Sequence, residues 1–365
     1  MSRDHRVCFF NSNRKWGGGE KWHFEMASAL AEKGFEVTLA CSPHGELSAR
    51  ASKASIPTIR ACISNLSFLN PIKLLYLIVK LKTRKIDTLI INLPSDLKVA
   101  GLAARLAGKV RVIYRRGSAI PVKSSIFNKL IFNYFIDDIL VNSEETGRTI
   151  LANDPKLFDK EKIHVVYNGI DLSEFDKLTG PPPYERQGDE VILATAGRLS
   201  KQKGHELLFE SIRKLKKTGI NFKLLIAGDG ELKQEIMHNA SEISLSDQVV
   251  FLGFLENIKP LLDSSDIFLL PSRWEGFGYV LIEAMACRKP IVAFNTSSNP
   301  EIVADGKTGF LVNDFDTGEF AEMIFQLINN AQLRKQLGEN GRKLVEERFT
   351  LERAVGKLVE LIISH

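Results

Sequence analysis

The segment Leu269–Ala286 has the sequence LLPSRWEGFGYVLIEAMA, which combines an apolar strand, a glycine loop and a helical pattern. The strand ends at Pro271, glycines follow at Gly276 and Gly278, and the helical pattern starts near Gly278. Glycines let a backbone approach a ligand, and the start of a helix offers free N–H groups and a positive dipole end. This order of elements predicts an anion-binding loop at the carboxyl end of a strand in an α/β domain.

The segments on either side of this loop alternate short β-branched runs with helical patterns, which predicts parallel sheets covered by helices on both faces. The stiff stretch Gly180–Pro183 is typical of a domain boundary. We therefore predict two doubly wound, Rossmann-like α/β domains facing across a cleft: residues 1–180 and residues 181–348, with the C-terminal helix 349–365 packing back on the first. The predicted strands are Val7–Asn11, Glu36–Ala40, Thr88–Asn92, Val110–Arg115, Ile139–Asn142, Val191–Ala196, Phe222–Ala227, Val249–Leu252, Ile267–Leu270, Pro290–Ala293 and Phe310–Val312.

Length and composition exclude several classes of protein. A chain of 365 residues suits two domains, and 44% hydrophobic with 25% charged residues is typical of a globular protein. No apolar run approaches the roughly 18 residues that span a bilayer, and the N-terminal apolar stretch is too short for a secretory signal. Four widely spaced cysteines argue against a zinc site and against a disulfide framework, which favours a cytoplasmic location.

The net charge of +5 is unevenly divided along the chain. Residues 1–180 carry 27 Lys and Arg against 18 Asp and Glu, whereas residues 181–365 carry 22 against 26. The excess of positive charge indicates that the first half meets something anionic: a lipid headgroup, a phosphorylated substrate or nucleic acid. Scatter over a solvated surface is the alternative.

Two pairs of charged residues lie where a ligand could reach them. Glu275 and Glu283 are eight residues apart, one before the predicted helix and one two turns inside it, so that both could hold one elongated ligand. Without a ligand, the first would cap the helix and the second would be solvated. The loop Gly197–Gly204 carries Arg198 and Lys203. A guanidinium fork and an ammonium point charge suit a diphosphate, although a basic surface loop has the same composition.

A glycine cluster, Gly17–Gly19, follows the first predicted strand and precedes a helical pattern. It lacks the third glycine of a G-x-G-x-x-G dinucleotide fingerprint because Trp22 occupies that position. A ligand-binding loop and a tight strand-to-helix turn without a ligand are both compatible with this cluster.

The spacing of Glu275 and Glu283 closely resembles the E-x7-E signature of retaining GT-B glycosyltransferases of the GT4-like family, the glycosyl transferases group 1. The loop Gly197–Gly204 is similar to the G-R-x-x-x-x-K-G pattern of the same family. The resemblance is strongest from Thr195 to Val312 and weaker before residue 165. It implies a GT-B fold in which the first domain binds the acceptor and the second binds a nucleotide-sugar donor.

The resemblance also implies roles for individual residues. Glu275 would contact hydroxyls of the donor sugar, and Glu283 would hydrogen-bond the ribose. Arg198 and Lys203 would bind the donor diphosphate and steady it as it leaves, so that they form the catalytic set together with Glu275. The other residues that the resemblance assigns to the donor are Gly18, Gly19, Phe251, Gly253, Gly276, Phe277 and Gly278.

The sequence departs from the family at one position in the first half. Many relatives have a histidine just after the strand that corresponds to Val110–Arg115, whereas this chain has Arg115 and Arg116 there. Two arginines at that position favour an anionic acceptor group, such as a phosphate or a carboxylate.

The sequence indicates chemistry without a metal ion. The only D-x-D sequence after a strand, Asp314–Asp316, precedes a helical pattern and is expected to cap it. No cluster has metal-ligand spacing, so the leaving nucleoside diphosphate would be neutralised by Arg198, Lys203 and a helix end. The resemblance implies that the sugar keeps its anomeric configuration and that a donor phosphate oxygen takes the proton of the acceptor hydroxyl.

The predicted function is a metal-independent, retaining hexosyltransferase that uses a nucleotide sugar, UDP-sugars above others, in lipopolysaccharide, capsule or other envelope glycan synthesis. A GT-B relative with epimerase or phosphorylase chemistry and an inactive nucleotide-sugar-binding module stay open as alternatives. Basic amphipathic patterns in Pro71–Lys85 and Val122–Ile136 suit either peripheral contact with an anionic membrane or core helices with a solvated basic edge. No nucleic-acid partner is expected, because the aromatic residues follow core-type patterns.

Overall fold

The computed structural model describes residues 5–313 and 315–364, and the chain divides into two compact units. The first unit comprises the chain up to Tyr167 together with the segment from Ala354 onward, and the second unit comprises Asn168–Arg353. The predicted boundary at residue 180 therefore lies inside the second unit. One reason is an ion pair within the second unit, in which Asp176 receives two 2.8 Å hydrogen bonds from the Arg342 guanidinium.

The first unit has a seven-stranded parallel sheet in the order β3-β2-β1-β4-β5-β6-β7. Its strands are β1 Arg6–Asn11, β2 Glu36–Cys41, β3 Thr58–Arg60, β4 Thr88–Ile91, β5 Arg111–Arg116, β6 Asp138–Val141 and β7 Ile163–Val165. Its helices are α1 Gly18–Glu32, α2 Glu46–Lys53, α3 Pro71–Thr83, α4 Pro94–Asp96, α5 Leu102–Ala107, α6 Ile126–Phe135 and α7 Glu144–Ile150, with a π-helical stretch Leu97–Gly101 and 3-10 turns Ser67–Leu69 and Lys160–Lys162.

The second unit has a six-stranded parallel sheet in the order β10-β9-β8-β11-β12-β13. Its strands are β8 Val191–Ala196, β9 Phe222–Ala227, β10 Val249–Gly253, β11 Ile267–Leu270, β12 Ile291–Phe294 and β13 Gly309–Val312. Its helices are α8 Leu172–Lys177, α9 His205–Lys216, α10 Lys233–Glu242, α11 Lys259–Ser264, α12 Tyr279–Ala286, α13 Asn299–Ile302, α14 Thr317–Asn329 and α15 Ala331–Arg348, with a 3-10 turn Lys201–Lys203. A last helix, α16 Leu351–Ile363, starts in this unit and continues into the first.

Both sheets follow the same winding, which determines where a ligand can bind. Each starts with a central strand, adds two strands on one side and then crosses to the other side. At this reversal the loops after the two central strands diverge and leave a crevice at the carboxyl ends. The crevices lie after β1 and β4 in the first unit, and after β8 and β11 in the second.

The strands form because their residues are apolar on both sides, as expected for a parallel sheet covered by helices. All four residues of β4, β11 and β12 are buried. The eleven predicted strands are confirmed within two residues at each end. Strands β3 and β7 were not predicted, because each has only three residues. In β3 only Ile59 is buried, and all three residues of β7 are half-buried.

Two further expectations concern cysteines and membrane spans. Cys8 and Cys41 are buried free thiols, and burial raises the pKa of Cys8 to about 12. Within residues 5–313 and 315–364, no helix combines the length and apolar character needed to cross a bilayer.

Gly169 lies where the chain enters the second unit, and its lack of a side chain permits a close backbone approach. Ile170 exchanges backbone hydrogen bonds of 2.9 Å with Phe349 and Leu351. A Cβ at position 169 would lie 2.3 Å from the carbonyl oxygen of Thr350, which is too close for any real contact. Because backbone cannot give way as a flexible side chain can, glycine is required here for packing.

We expect Gly169→Ala to lower the melting temperature by several degrees, because the close approach to Thr350 must open. The matched control is Gly356→Ala in α16, where a Cβ would meet nothing within 4 Å. Alanine at that helical position should leave stability unchanged or raise it by up to about 1 kcal/mol. Thermal unfolding followed by circular dichroism measures both variants, and equal melting temperatures would contradict this explanation.

Candidate functional site

The crevice of the second unit is bordered by the loop that follows β8, residues 197–204. A Cβ at Gly197 would lie 3.0 Å from Cε of Lys203, so glycine leaves room for the lysine stem. Gly204 has a φ of 61°, and a Cβ there would lie 2.2 Å from the carbonyl oxygen of Pro271. Gly204 thus lets this loop pack tightly against the loop after β11, and Gly197 makes room for Lys203 within the loop.

The central contact of the site joins two residues that the sequence analysis selected from separate loops. Nζ of Lys203 lies 2.5 Å from Oε1 of Glu275, although the two residues are 72 positions apart. Glu275 is only 5% exposed, and the lysine side chain is largely buried. A buried carboxylate needs a charge partner, and the ion pair with Lys203 supplies it.

Further hydrogen bonds join the same two loops. Nε2 of Gln202 donates to the carbonyl oxygen of Trp274 at 2.9 Å, and the amide of Arg273 donates to the carbonyl oxygen of Gln202 at 2.8 Å. On the exposed side, Arg273 also pairs with Glu206 at 2.6 Å. The loops after β8 and β11 therefore form one hydrogen-bonded structure.

Three serines hold Glu275 in place, Ser272 from the same loop and Ser297 and Ser298 from the loop after β12. Oγ of Ser272 donates to Oε1 of Glu275 at 2.6 Å, and Oγ of Ser297 donates to its backbone carbonyl at 2.6 Å. Oγ of Ser298 lies within hydrogen-bond distance of the carbonyls of Glu275 and Phe277. Both side-chain contacts reach Oε1, and among the described residues Oε2 has no hydrogen-bond partner. One carboxylate oxygen is thus committed to the protein while the other can accept from a ligand.

Arg198 and Lys203 occupy very different surroundings. The Arg198 side chain is exposed, and within residues 5–313 and 315–364 it makes no hydrogen bond or ion pair. Lys201, in the same loop, is exposed as well. The two residues predicted for the diphosphate are therefore an exposed guanidinium and a buried ammonium that already contacts Glu275.

Helix α12 begins directly after the glycine loop. Its N-cap, Gly278, has a φ of 88°, a conformation that favours glycine. The Phe277 ring is buried and packs edge-on against Tyr279 and Phe349, with ring centroids 6.0 and 5.9 Å away. The Phe277 side chain therefore belongs to the core, and a contact of its backbone with the donor stays a prediction. Glu283 is half-buried in the second turn of the helix.

Phe251 and Gly253, which the resemblance assigns to the donor, lie at the end of β10. Phe251 is half-buried, and Gly253 has a φ of 71°. The carbonyl oxygen of Gly253 accepts a 2.7 Å hydrogen bond from the amide of Gly228. This bond ties the end of β10 to the turn after β9.

His205 and Asp316, the described acidic residue of the D-x-D sequence, have structural positions in this unit. Burial lowers the pKa of His205 to about 4, so its imidazole is neutral near pH 7. Asp316 caps α14 by accepting from the amides of Gly318 and Glu319, as predicted, and Asp314 lies outside the described residues. In the described part of the chain, no three His, Cys, Asp or Glu side chains form a group that could hold a metal ion.

The first unit has its own loop at the corresponding crevice, between β1 and α1. Gly17 is the N-cap of α1, which places Gly18 and Gly19 in its first turn. Oε1 of Glu20 accepts from the side-chain amides of Asn11 and Asn13 at 2.9 and 3.1 Å. The acidic residue after the glycines is therefore buried and holds the strand-to-helix connection in place.

Asp96 holds the other side of the same connection. Its carboxylate accepts from the amide and the hydroxyl of Ser12 at 2.8 and 2.6 Å. Burial raises the pKa of Asp96 to about 6, against the opposing effect of the Ser12 hydrogen bonds. The glycine loop of the first unit is thus anchored by two buried carboxylates.

Arg115 and Arg116 point to opposite faces of β5, because successive side chains alternate along a strand. Arg115 is 2% exposed, donates to Oδ1 of Asn92 at 2.9 Å and lies 4.7 Å from the Trp22 ring centroid. Arg116 is half-buried and donates to the carbonyl oxygen of Ile120. The two arginines do not form a single cradle for one anionic group, and a role of either in acceptor binding stays a prediction.

Asn92 connects Arg115 to the glycine loop. A Cβ at Gly19 would lie 2.7 Å from Nδ2 of Asn92, so a larger residue there would displace the Asn92 side chain. The predicted site residues do not include Asn92, Asp96, Gln202 or Ser272. Asn92 could have been found from its position, because it directly follows a buried strand, where ligand-facing polar residues often lie.

Both halves of the chain match models of known protein families. Residues 178–344 match the family model Glycosyl transferases group 1, and residues 16–174 match Glycosyltransferase Family 4. The chain is 33% identical over 198 residues to N-acetyl-alpha-D-glucosaminyl L-malate synthase of Bacillus anthracis, a match that covers 53% of this chain and 52% of that protein. It is 31% identical over 221 residues to the capsular polysaccharide biosynthesis glycosyltransferase CapM of Staphylococcus aureus, covering 58% of each.

The chain thus spans little more than half the length of these two relatives. Among solved structures, Alr3699/HepE of Anabaena in complex with UDP-glucose has a TM-score of 0.82 at 21% identity, covering 99% of this chain and 100% of that one. This similarity confirms the predicted fold of two parallel-sheet α/β domains of the GT-B type. With both halves matched, the chain belongs to the GT4-like glycosyltransferases, the glycosyl transferases group 1.

Proposed function

We propose that this protein transfers a sugar from a nucleoside diphosphate sugar to an acceptor hydroxyl and that the sugar keeps its anomeric configuration. The observation that supports this most directly is the buried contact between Lys203 and Glu275. It brings a cation suited to phosphate and a carboxylate suited to sugar hydroxyls to one point, at the switch point of the second sheet, where α/β domains bind ligands.

The donor diphosphate would lie between Arg198 and the start of α12. Arg198 is exposed and can form a bidentate contact with phosphate oxygens. Lys203 uses one of its three N–H donors on Glu275 and retains others for the diphosphate. The backbone of Gly276 and Gly278 would approach the same group, with the positive end of the helix dipole behind it.

Sugar and ribose would be held by the two glutamates. Oε2 of Glu275 can accept a hydrogen bond from a sugar hydroxyl, because both protein contacts reach Oε1. Glu283, in the second turn of α12, would accept from a ribose hydroxyl. Phe251, Gly253, Gly18 and Gly19 complete the set of residues that we propose for the donor.

In the proposed reaction, the bond between the anomeric carbon and the diphosphate oxygen breaks, and a bond forms between that carbon and the acceptor oxygen on the same face. The acceptor proton passes to an oxygen of the departing diphosphate. Arg198 and Lys203 stabilise the negative charge that develops there, which is the step that preorganised cations accelerate most. We propose that these side chains take the place of a metal ion.

We propose UDP-sugars as donors and an anionic glycan or lipid-linked acceptor, in the synthesis of lipopolysaccharide, capsule or another envelope glycan. The excess positive charge of residues 1–180 supports an anionic partner. Arg116 is the more accessible of the two arginines at the end of β5, which favours it for acceptor contact. We also propose a cytoplasmic location with contact to the inner face of the membrane.

The second candidate is a nucleotide-sugar-binding module without turnover. The contact of Lys203 with Oε1 of Glu275 favours this candidate, because it occupies one oxygen of the carboxylate that turnover would use. Release of UDP from UDP-sugars separates the two functions, because a pure binding module holds the donor without releasing UDP.

Arg198→Ala should reduce the rate of UDP release from UDP-sugars by about a hundredfold, because one charge that stabilises the leaving group is removed. The matched control is Lys201→Ala, which removes one exposed positive charge from the same loop. A coupled assay for UDP with a panel of UDP-sugars measures both variants. Equal effects of the two substitutions would contradict the assignment of Arg198.

Glu275→Gln should also reduce turnover by about a hundredfold, because the carboxylate that faces the sugar loses its charge. Its control is Glu206→Gln, which alters the exposed ion pair with Arg273 across the same two loops and should leave turnover close to that of the wild type. Circular dichroism verifies that both variants fold. Near-normal turnover of a folded Glu275→Gln variant would exclude the proposed role.

A further inference from the structure

The exposed apolar side chains of this chain are concentrated on one part of the first unit. Of the eighteen large apolar side chains that the structure describes as exposed, eleven lie within residues 66–79 and 120–134. Ile72 in α3 is 78% exposed and Ile126 in α6 is 80% exposed. A concentration of this kind marks a surface that contacts a partner, whereas singly scattered apolar residues do not.

Helix α3 is apolar on two opposite sides. One side packs into the core of the first unit and consists of Leu74, Leu77, Ile78 and Leu81. The other side is exposed at the same helical spacing and consists of Ile72, Leu75, Tyr76 and Val79. A helix that is apolar all round is ordinarily buried on all sides, so the exposed side of α3 lacks a covering layer within the described chain.

The exposed side of α6 continues this surface. Ile126, Phe127, Leu130 and Tyr134 are exposed, and the Phe127 ring lies 6.1 Å from the Phe68 ring in the turn that precedes α3. Nζ of Lys98 lies 5.9 and 5.5 Å from the centroids of these two rings, which places a positive charge where the helices meet. We call the exposed sides of α3 and α6, with Leu66 and Leu69, the apolar face.

The surroundings of the apolar face are strongly basic. Residues 47–136 contain sixteen Lys and Arg against two acidic residues, Asp87 and Asp96. Some of these cations pair with acidic residues outside this range, as Lys129 does with Asp154 and Arg105 with Asp137, both at 2.8 Å. Asp96 is buried, and Asp87 accepts a hydrogen bond from the amide of Arg6. On α3, the exposed stripe is flanked by Lys73 and Lys80 on one side and by Lys82 on the other. Lysine stems can lie along an apolar surface while their ammonium groups reach outward.

We propose that the apolar face docks on an anionic phospholipid bilayer. Apolar side chains with lysines at their border match the two layers of such a surface, because the former enter the acyl boundary and the latter meet the lipid phosphates. A second copy of the chain would fit poorly, since it would bring the same lysines together. This inference rests on the proposed function and assigns its membrane contact to helices α3 and α6. Binding to the bilayer itself does not require transferase activity.

Sedimentation of the full chain with lipid vesicles tests the inference without donor or acceptor. The wild type should bind vesicles of phosphatidylcholine and phosphatidylglycerol in equal parts and should not bind phosphatidylcholine alone. Ile72→Ser with Ile126→Ser should weaken binding about tenfold or more, because apolar area is lost from the bilayer contact. Lys82→Glu with Lys123→Glu should also weaken it about tenfold or more, because attraction of two basic residues to the anionic lipids becomes repulsion.

The matched controls carry the same two kinds of substitution, apolar to serine and lysine to glutamate, in the second unit. Met237→Ser with Phe325→Ser removes exposed apolar side chains, and Lys335→Glu with Lys343→Glu reverses exposed charges. Both control pairs should bind as the wild type does.

Absence of wild-type binding, or equal binding of test and control variants, would overturn the inference while leaving the transferase assay unaffected. Dimerisation that Ile72→Ser with Ile126→Ser abolishes, without vesicle binding, would assign the apolar face to self-association and overturn it as well.

Discussion

The candidate site depends on one buried ion pair. Lys203 and Glu275 come from different loops, and their contact joins the ends of β8 and β11 into one structure. Removing one partner of such a pair typically costs about 3–5 kcal/mol, because the other charge is left buried alone. Gly197 leaves room for the Lys203 side chain, and Gly204 leaves room for the approach of the two loops. In the proposed reaction, Lys203 would contact the diphosphate and Glu275 would contact the sugar.

Most of the fold could be predicted because parallel strands buried on both faces are near-continuous apolar runs, as in β4, β11 and β12. Strands β3 and β7 escaped prediction because a three-residue strand with one or no buried side chain has no distinguishable period. The site was predictable only in part. Residue types and spacing identified Arg198, Lys203, Glu275 and Glu283, but a contact between residues 72 positions apart exists only once the sheet has formed.

The division of charge along the sequence has a physical counterpart in the first unit. Part of its positive charge is internal, as in Arg115, which lies between Asn92 and Trp22. Side-chain alternation along β5 could have predicted that Arg115 and Arg116 point apart. Another part borders the exposed apolar sides of α3 and α6, as in Lys80, Lys82 and Lys123. The location of each positive charge in the structure, more than the total, therefore separates buried cations that position other residues from exposed cations that can meet a partner.

We propose that protein cations and a helix end, without a metal ion, hold the diphosphate of the donor. Calorimetric titration with UDP, UMP and uridine in the presence of EDTA tests this claim directly. The account predicts that UDP binds about tenfold or more tightly than UMP, because the second phosphate adds charge-assisted contacts, and that EDTA changes neither affinity. Equal affinities for UDP and UMP, or loss of UDP binding in EDTA, would contradict it.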